Sequence, residues 1–178
     1  MIGKLETHLA TTRPELLAAP VSKALQDLPG ELSQHVEVAE IDPDLADTAA
    51  FCAHYDVPLA QSANCVIAAG TRAGVTSLAG VLVLATTRAD INGTLRRLLG
   101  ARKASFASME QAVSESGMEY GGITPIGLPS SWPLFIDSRV VAAGQVVIGS
   151  GLRKSKIVVP AQALSLLPNT QVIDDLAR

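Results

Sequence analysis

Residues 64–86 read NCVIAAGTRAGVTSLAGVLVLAT. Two short apolar runs, Asn64–Ala69 and Leu78–Thr86, flank a turn marked by Gly70, Arg72 and Gly74. Apolar runs of this length, bounded by turn residues, read as buried strands. The link between them is too short for a helical crossover, so the pair must be antiparallel. That excludes an all-parallel α/β sheet.

The pattern repeats on the C-terminal side. Asp90–Leu99 predicts a helix stopped by Gly100, and Ser108 with Gln111 forms a capping-box signal for a helix ending at Gly117. A loop rich in Gly and Pro follows over Met118–Pro133. Leu134–Asp137, Gln145–Ile148 and Lys156–Val159 read as strands, Pro160–Leu167 as a helix and Thr170–Ile173 as a last strand. On the N-terminal side, Thr12 and Pro14 predict a helix start, with Leu16, Leu17, Leu25 and Leu28 as its buried face and Pro20 kinking or dividing it. His35–Ile41 alternates as a strand, and Pro43–His54 carries a helical spacing. The expectation is a mixed α/β (α+β) fold, a mixed and partly barrel-like sheet with flanking helices, in one domain over residues 1–178.

Composition narrows the function classes. The chain has 178 residues, 48% of them apolar and 17% charged, which excludes disorder and allows a real core. The net charge of -3 hides an asymmetry. Residues 1–56 hold ten acids and three bases, and residues 57–178 hold seven acids and eleven bases. A base-rich half fits an ordinary solvated surface first, and a polyanion partner second. The two cysteines, Cys52 and Cys65, make no disulfide framework. The N-terminus lacks a signal core, and the longest apolar stretch, Leu78–Ala85, is too short for a membrane span. A cytoplasmic protein with no membrane association is expected.

Familiar catalytic patterns are missing. His8, His35 and His54 lie at no metal-ligand spacing with either cysteine, so no metal is expected. Cys52 belongs to a helix core and Cys65 to an apolar strand. There is no GxSxG elbow and no P-loop, and Gly149-Ser150-Gly151 lacks the third glycine of a dinucleotide fingerprint. Two glycine-rich segments remain. Glu119–Pro129 reads EYGGITPIGLP, whose adjacent Gly121 and Gly122 let a backbone approach a ligand or simply make a tight turn. Val146–Pro160 reads VVIGSGLRKSKIVVP, a strand, a small-residue turn at Ser150 and Gly151, the bases Arg153, Lys154 and Lys156, and a second strand. It is either a phosphate-docking turn or a hairpin with solvated charges.

These segments resemble the YbaK-like family of aminoacyl-tRNA deacylases. GGITPIG at residues 121–127 is similar to the family's GGxxPxG loop, and VIGSGLR at 147–153 to its late strand and turn. The helix over Asp90–Gly100, followed by Ala104, Ser105 and Phe106, fits in the same order. The resemblance covers roughly residues 30–167. It implies hydrolysis of the ester joining a small, wrongly attached amino acid to tRNA, with no cofactor. It implies an acceptor-end partner, and an aminoacyl-tRNA synthetase as a further possible one. Amides of Gly121 and Gly122 would stabilise the oxyanion, Ile123 and Thr124 would contact substrate beside them, Ser150 and Gly151 would line the amino-acid pocket, and Asn64 and Arg153 would orient the adenosine end. Many family members carry a lysine where this chain has Asn64. A neutral amide there leaves a second class open, a tRNA-end or nucleotide-binding module of the same fold with little or no catalysis. The motifs leave the amino acid, the tRNA and the oligomeric state unspecified.

Overall fold

The computed structural model describes residues 2–178. In chain order its regular elements are β1 (Thr7–Leu9), α1 (Ala19–Asp27), α2 (Gly30–Ser33), β2 (Glu37–Glu40), α3 (Thr48–Tyr55), β3 (Ala63–Arg72), β4 (Val75–Leu84), α4 (Arg96–Leu98), β5 (Lys103–Phe106), α5 (Met109–Ser116), β6 (Leu134–Asp137), α6 (Ser138–Ala142), β7 (Gln145–Gly149), β8 (Ser155–Pro160) and β9 (Thr170–Ile173).

The predicted hairpin is present and longer than expected. β3 and β4 pair antiparallel from Ala63 opposite Leu84 to Arg72 opposite Val75. Ala73 and Gly74 close it with φ of 50° and 81°, the two left-handed residues that a tight hairpin turn with the strands' own twist requires. Around it forms a sheet in the order β5-β3-β4-β6-β9, in which the β4-β6 and β6-β9 pairs are parallel and the β5-β3 and β3-β4 pairs antiparallel. A second, wholly antiparallel sheet has the order β1-β2-β8-β7. The fold is thus mixed α/β as expected, but the barrel-like closure is absent. Among the described residues a parallel bridge between Ser62 and Val147 links the two sheets by backbone pairing.

Strand alternation builds the layers. Leu82, Leu84, Leu134, Ile136, Val146, Ile148, Ile157 and Val159 come from both sheets and share a central core with Val21 and Leu25 of α1. On the far side of the second sheet, Val147 and Val158 pack under Phe51 and Cys52 of α3. On the far side of the first, Val81, Val83 and Phe135 meet Ile91, Leu95 and Leu176.

Several expected helices are shorter than predicted. Thr12 caps no α-helix; residues 10–12 and 14–16 are single 3-10 turns, and α1 starts at Ala19 with Pro20 in its first turn. Proline has no N–H to donate, so it is accommodated in the first turn of a helix that starts at Ala19 instead of lying in its interior. The stretch 43–54 likewise splits into a 3-10 turn at Pro43–Leu45 and α3, separated by an extended Asp47. The segment 90–99 is a π-turn over Ile91–Leu95 that leads into α4, with the Asp90 carboxylate accepting from the N–H groups of Gly93 and Thr94. Ala161–Leu166 is 3-10, not α. The cap signals of α5 hold: Ser108 Oγ accepts from Gln111 N–H, and Gly117 follows with φ of 69°.

Candidate functional site

A cavity of about 350 Å³ opens at the seam between the sheets. Residues 62–67 of β3 and its approach form one wall, and Val147, Ile148 and Gly149 of β7 another. Ala46, Asp47 and Thr48 at the start of α3, Ala112 of α5 and the loop residues Tyr120, Gly121 and Ile123 complete it. Phe106, Met109 and Tyr120 also line it and are each 59% exposed, so they make its solvent side. Among larger neighbours such as Ile67, Ile123 and Val147, four small side chains, Ala46, Ala63, Ala107 and Ala112, leave the space.

The loop is shaped by one turn. Gly122 N–H donates to Glu119 O at 2.9 Å. This places Gly121 at the third turn position with φ of 84°, where a type II turn calls for glycine. A second set of bonds ties this turn to the one after β7. Glu119 N–H donates to Gly151 O and Gly151 N–H to Gly122 O, both at 2.8 Å, and Arg153 N–H donates to a Glu119 carboxylate oxygen at 2.6 Å. The packing is too close for side chains, since a Cβ on Gly122 would sit 2.7 Å from the Leu152 backbone.

The structure brings together three of the residues singled out from the sequence. Gly121, Ile123 and Asn64 all line the cavity. Gly121 N–H bonds to no protein group among the described residues, so it remains available as a donor. Asn64 Oδ1 accepts from Thr48 Oγ1 at 2.7 Å, which fixes its amide against the start of α3.

The other predicted residues lie elsewhere. Gly122 is buried, and its N–H is already engaged in the turn. Thr124 is fully buried behind the loop, with its hydroxyl unpartnered among the described residues. Ser150 is also fully buried, and its hydroxyl meets Ser155 Oγ at 2.7 Å and Leu152 N–H at 3.2 Å. Gly151 packs against Ala18 and Val21. Arg153 lies outside the cavity, where its guanidinium donates to Pro43 O at 3.2 Å and Tyr120 O at 3.4 Å and stands 4.0 Å from Asp47. Ser150, Gly151 and Arg153 thus shape and brace the loop. Asp137 is a cap: its carboxylate accepts from Arg139 N–H and from the Arg139 guanidinium.

Lys156 is the cavity residue that a reading of the sequence as a surface basic cluster misses. In β8 the alternate residues Ser155, Ile157 and Val159 face the central core, so Lys156 and Val158 face α3. Lys156 is 9% exposed and lines the cavity. Its Nζ donates to Ala46 O at 3.0 Å and lies 5.2 Å from the centre of the Phe51 ring. Burial pulls its pKa below the usual lysine value, opposed by Cys52. Cys65 also lines the cavity, but burial pushes its thiol up to about 12. It is therefore protonated near neutral pH and is no nucleophile.

Asn64, Val66 and Phe106 border a second hollow of about 630 Å³, lined also by Arg88, Asp90, Asn92 and Ser105. The cavity and this groove therefore share a wall. Among the described residues no cluster of His, Cys, Asp and Glu could hold a metal, and no helix is long and apolar enough to cross a membrane.

The two-sheet fold recurs in known proteins. The model of the aminoacyl-tRNA editing domain matches residues 42–166, and the chain belongs to that family. Among solved structures, a candidate trans-editing enzyme for prolyl-tRNA synthetase superposes with a TM-score of 0.72 at 22% identity, covering 88% of this chain and 94% of its own. A scaffold protein from work on computational epitope grafting gives 0.73 at 21%, covering 88% and 95%. A hypothetical protein gives 0.69 at 20%, covering 79% and 90%. At these identities the likeness is one of fold. No curated protein matches the chain in sequence.

Proposed function

We propose that the chain is a trans-acting aminoacyl-tRNA deacylase that removes a small, wrongly attached amino acid from the end of tRNA. The observation that carries this reading is the pair of hollows sharing Asn64, Val66 and Phe106. The smaller one, with four alanines in its lining, has room for a small side chain. The groove beside it, with Arg88 on its lining, suits a terminal nucleotide and its phosphate. Phe106 and Tyr120 offer exposed rings on which a base can stack.

The chemistry is ester hydrolysis. Water attacks the ester carbonyl carbon, and the π pair moves onto the carbonyl oxygen as the new C–O bond forms. The proton lost by the water leaves through the open side, where Asp47 is the lining carboxylate. The oxyanion then re-forms the C=O bond, and the bond to the ribose oxygen breaks. That oxygen takes the electron pair and a proton from solvent, releasing free amino acid and intact tRNA. Gly121 N–H is the backbone donor for the oxyanion, a contribution of about 3 kcal/mol when well placed. Selection works by size, because a side chain too large for the cavity keeps the ester away from the loop.

The neutral Asn64 favours one rival, a module that binds the tRNA end without turnover. A panel of tRNAs charged with alanine, serine, cysteine and larger amino acids separates the two. Release of a small amino acid above the uncatalysed rate supports the deacylase; binding of every member with no release supports the module. A synthetase, the other suggested partner, would be tested by co-migration in the presence of tRNA.

A further inference from the structure

Lys156 presents an energetic problem. An ammonium taken out of water is costly unless it is paired or fully hydrogen-bonded. Its Nζ carries three N–H donors, and among the described residues one hydrogen-bond acceptor is in reach, Ala46 O at 3.0 Å. The Phe51 ring offers a second, weaker attraction. Among the described residues no carboxylate forms a salt bridge with it. The charged and titratable groups whose influence reaches it are Cys52 on α3, Asp47 at the start of α3 and Arg153 on the turn before β8. Asp47 carries its side chain 82% exposed, beside Arg153 at 4.0 Å. The ammonium thus stands in the cavity wall with donor capacity that the protein does not fill.

On the facing strand, Asn64 is neutral and held by Thr48. Both Asn64 and Lys156 are anchored on the same short segment, since Ala46 takes one and Thr48 the other. The start of α3 therefore presents one neutral and one positive group to the same space. The positive group belongs to β8, a strand whose other side chains are apolar or part of the Ser150–Ser155 lock.

We propose that Lys156 is a catalytic residue of this site, whose ammonium receives the ester carbonyl oxygen and holds the negative charge that develops there when water attacks. This rests on the deacylase reading above and deepens it. Gly121 N–H and Lys156 Nζ then approach the same oxygen, one from the loop and one from β8. A fixed charge in a water-poor cavity acts more strongly than the same charge in bulk water. A binding-only role for the ammonium would act equally on substrate and transition state and leave the chemical step unchanged.

The test is single-turnover deacylation of the best small aminoacyl-tRNA by wild type, Lys156→Gln and Lys156→Met, with thermal melting alongside. Gln keeps an amide donor but carries no charge. Both variants are expected to lose about 10²–10³-fold in the saturating rate, with half-saturation changed less than about threefold. Lys156→Gln within about threefold of the wild-type rate would overturn the proposal and leave the deacylase reading intact. No turnover by wild type on any mischarged tRNA would sink that reading, and this proposal with it. Wild type alone supplies a check that needs no folded variant. After subtraction of the uncatalysed rate, its rate must fall as pH rises through the ionisation of Lys156, which burial moves toward neutrality. A wild-type rate that climbs without a break through the alkaline range overturns the assignment.

Discussion

Gly149→Ala tests whether the reacting loop is held in place by main-chain contact. Gly149 ends β7 with no left-handed φ, so alanine is conformationally acceptable there. The difficulty is space. A Cβ at this position would lie 2.6 Å from Ile123 O and closer still to Gly122 O, whereas ordinary contact begins at 3.4 Å. Ile123 would therefore have to retreat by about 0.8 Å. Both obstacles are backbone atoms, so no side chain can swing aside, and Gly121 would move with them. A displacement near 1 Å at a reacting centre costs on the order of 10²-fold in rate. Overpacking of this kind also destabilises by about 1–3 kcal/mol, or about 2–12 °C in Tm for a chain of this size. Single-turnover deacylation with melting by circular dichroism measures both. Gly30→Ala is the control, because nothing lies within 4 Å of its added carbon, and it should leave rate and Tm unchanged or slightly raised. A Gly149→Ala protein with full activity and wild-type Tm would refute the claim that loop contact sets the site.

Three further outcomes are expected. Arg153→Ala should weaken tRNA binding and lower the slope of log affinity against log salt by about 0.7–0.9, if this guanidinium meets one phosphate; an unchanged slope would leave Arg153 only its contacts with Pro43 and Tyr120. Cys65→Ala should keep deacylation within about threefold, because the half-buried thiol stays protonated; loss of activity at unchanged Tm would point to thiol chemistry. Burial raises the Asp137 pKa, but hydrogen bonds from Arg139 and Ala177 outweigh it, and the net shift is downward. The stabilisation it gives is then complete above the unfolded carboxylate value near 3.9 and is lost as pH falls through the lower folded value. Asp137→Asn should cost about 1–3 kcal/mol at pH 7 and flatten the acid limb of Tm against pH, and an unaltered limb would assign it to other carboxylates.

The hairpin of β3 and β4 was legible because both runs are apolar, turn-bounded and closely linked. The α5 boundaries were legible because Ser108 and Gly117 act locally. β1 and β5 gave no such signal. Thr7–Leu9 and Lys103–Phe106 are short, largely exposed edge strands whose pairing comes from their neighbours. Among the candidate residues, GG marks a turn, but only its geometry decides that Gly122 N–H closes it while Gly121 N–H stays free. Lys156 was grouped with Arg153 and Lys154 by proximity in sequence. The period-two alternation of a fully buried strand separates them, and a lone lysine among Ile157, Val158 and Val159 was the available clue.

The interlock of Gly122 with Leu152 and of Gly149 with the Gly122 and Ile123 carbonyls has an evolutionary consequence. One side of the cavity is drawn in main-chain atoms, which no single substitution can recolour without moving the chain. Other parts of its lining are drawn in side chains, among them Ile67, Met109 and Ala112. Each of these can be exchanged for a neighbour in size without touching the interlock. The site therefore separates into a part that can only be kept or lost and a part that can be retuned one methylene at a time, so the size of the cavity can change in small steps that leave the loop undisturbed.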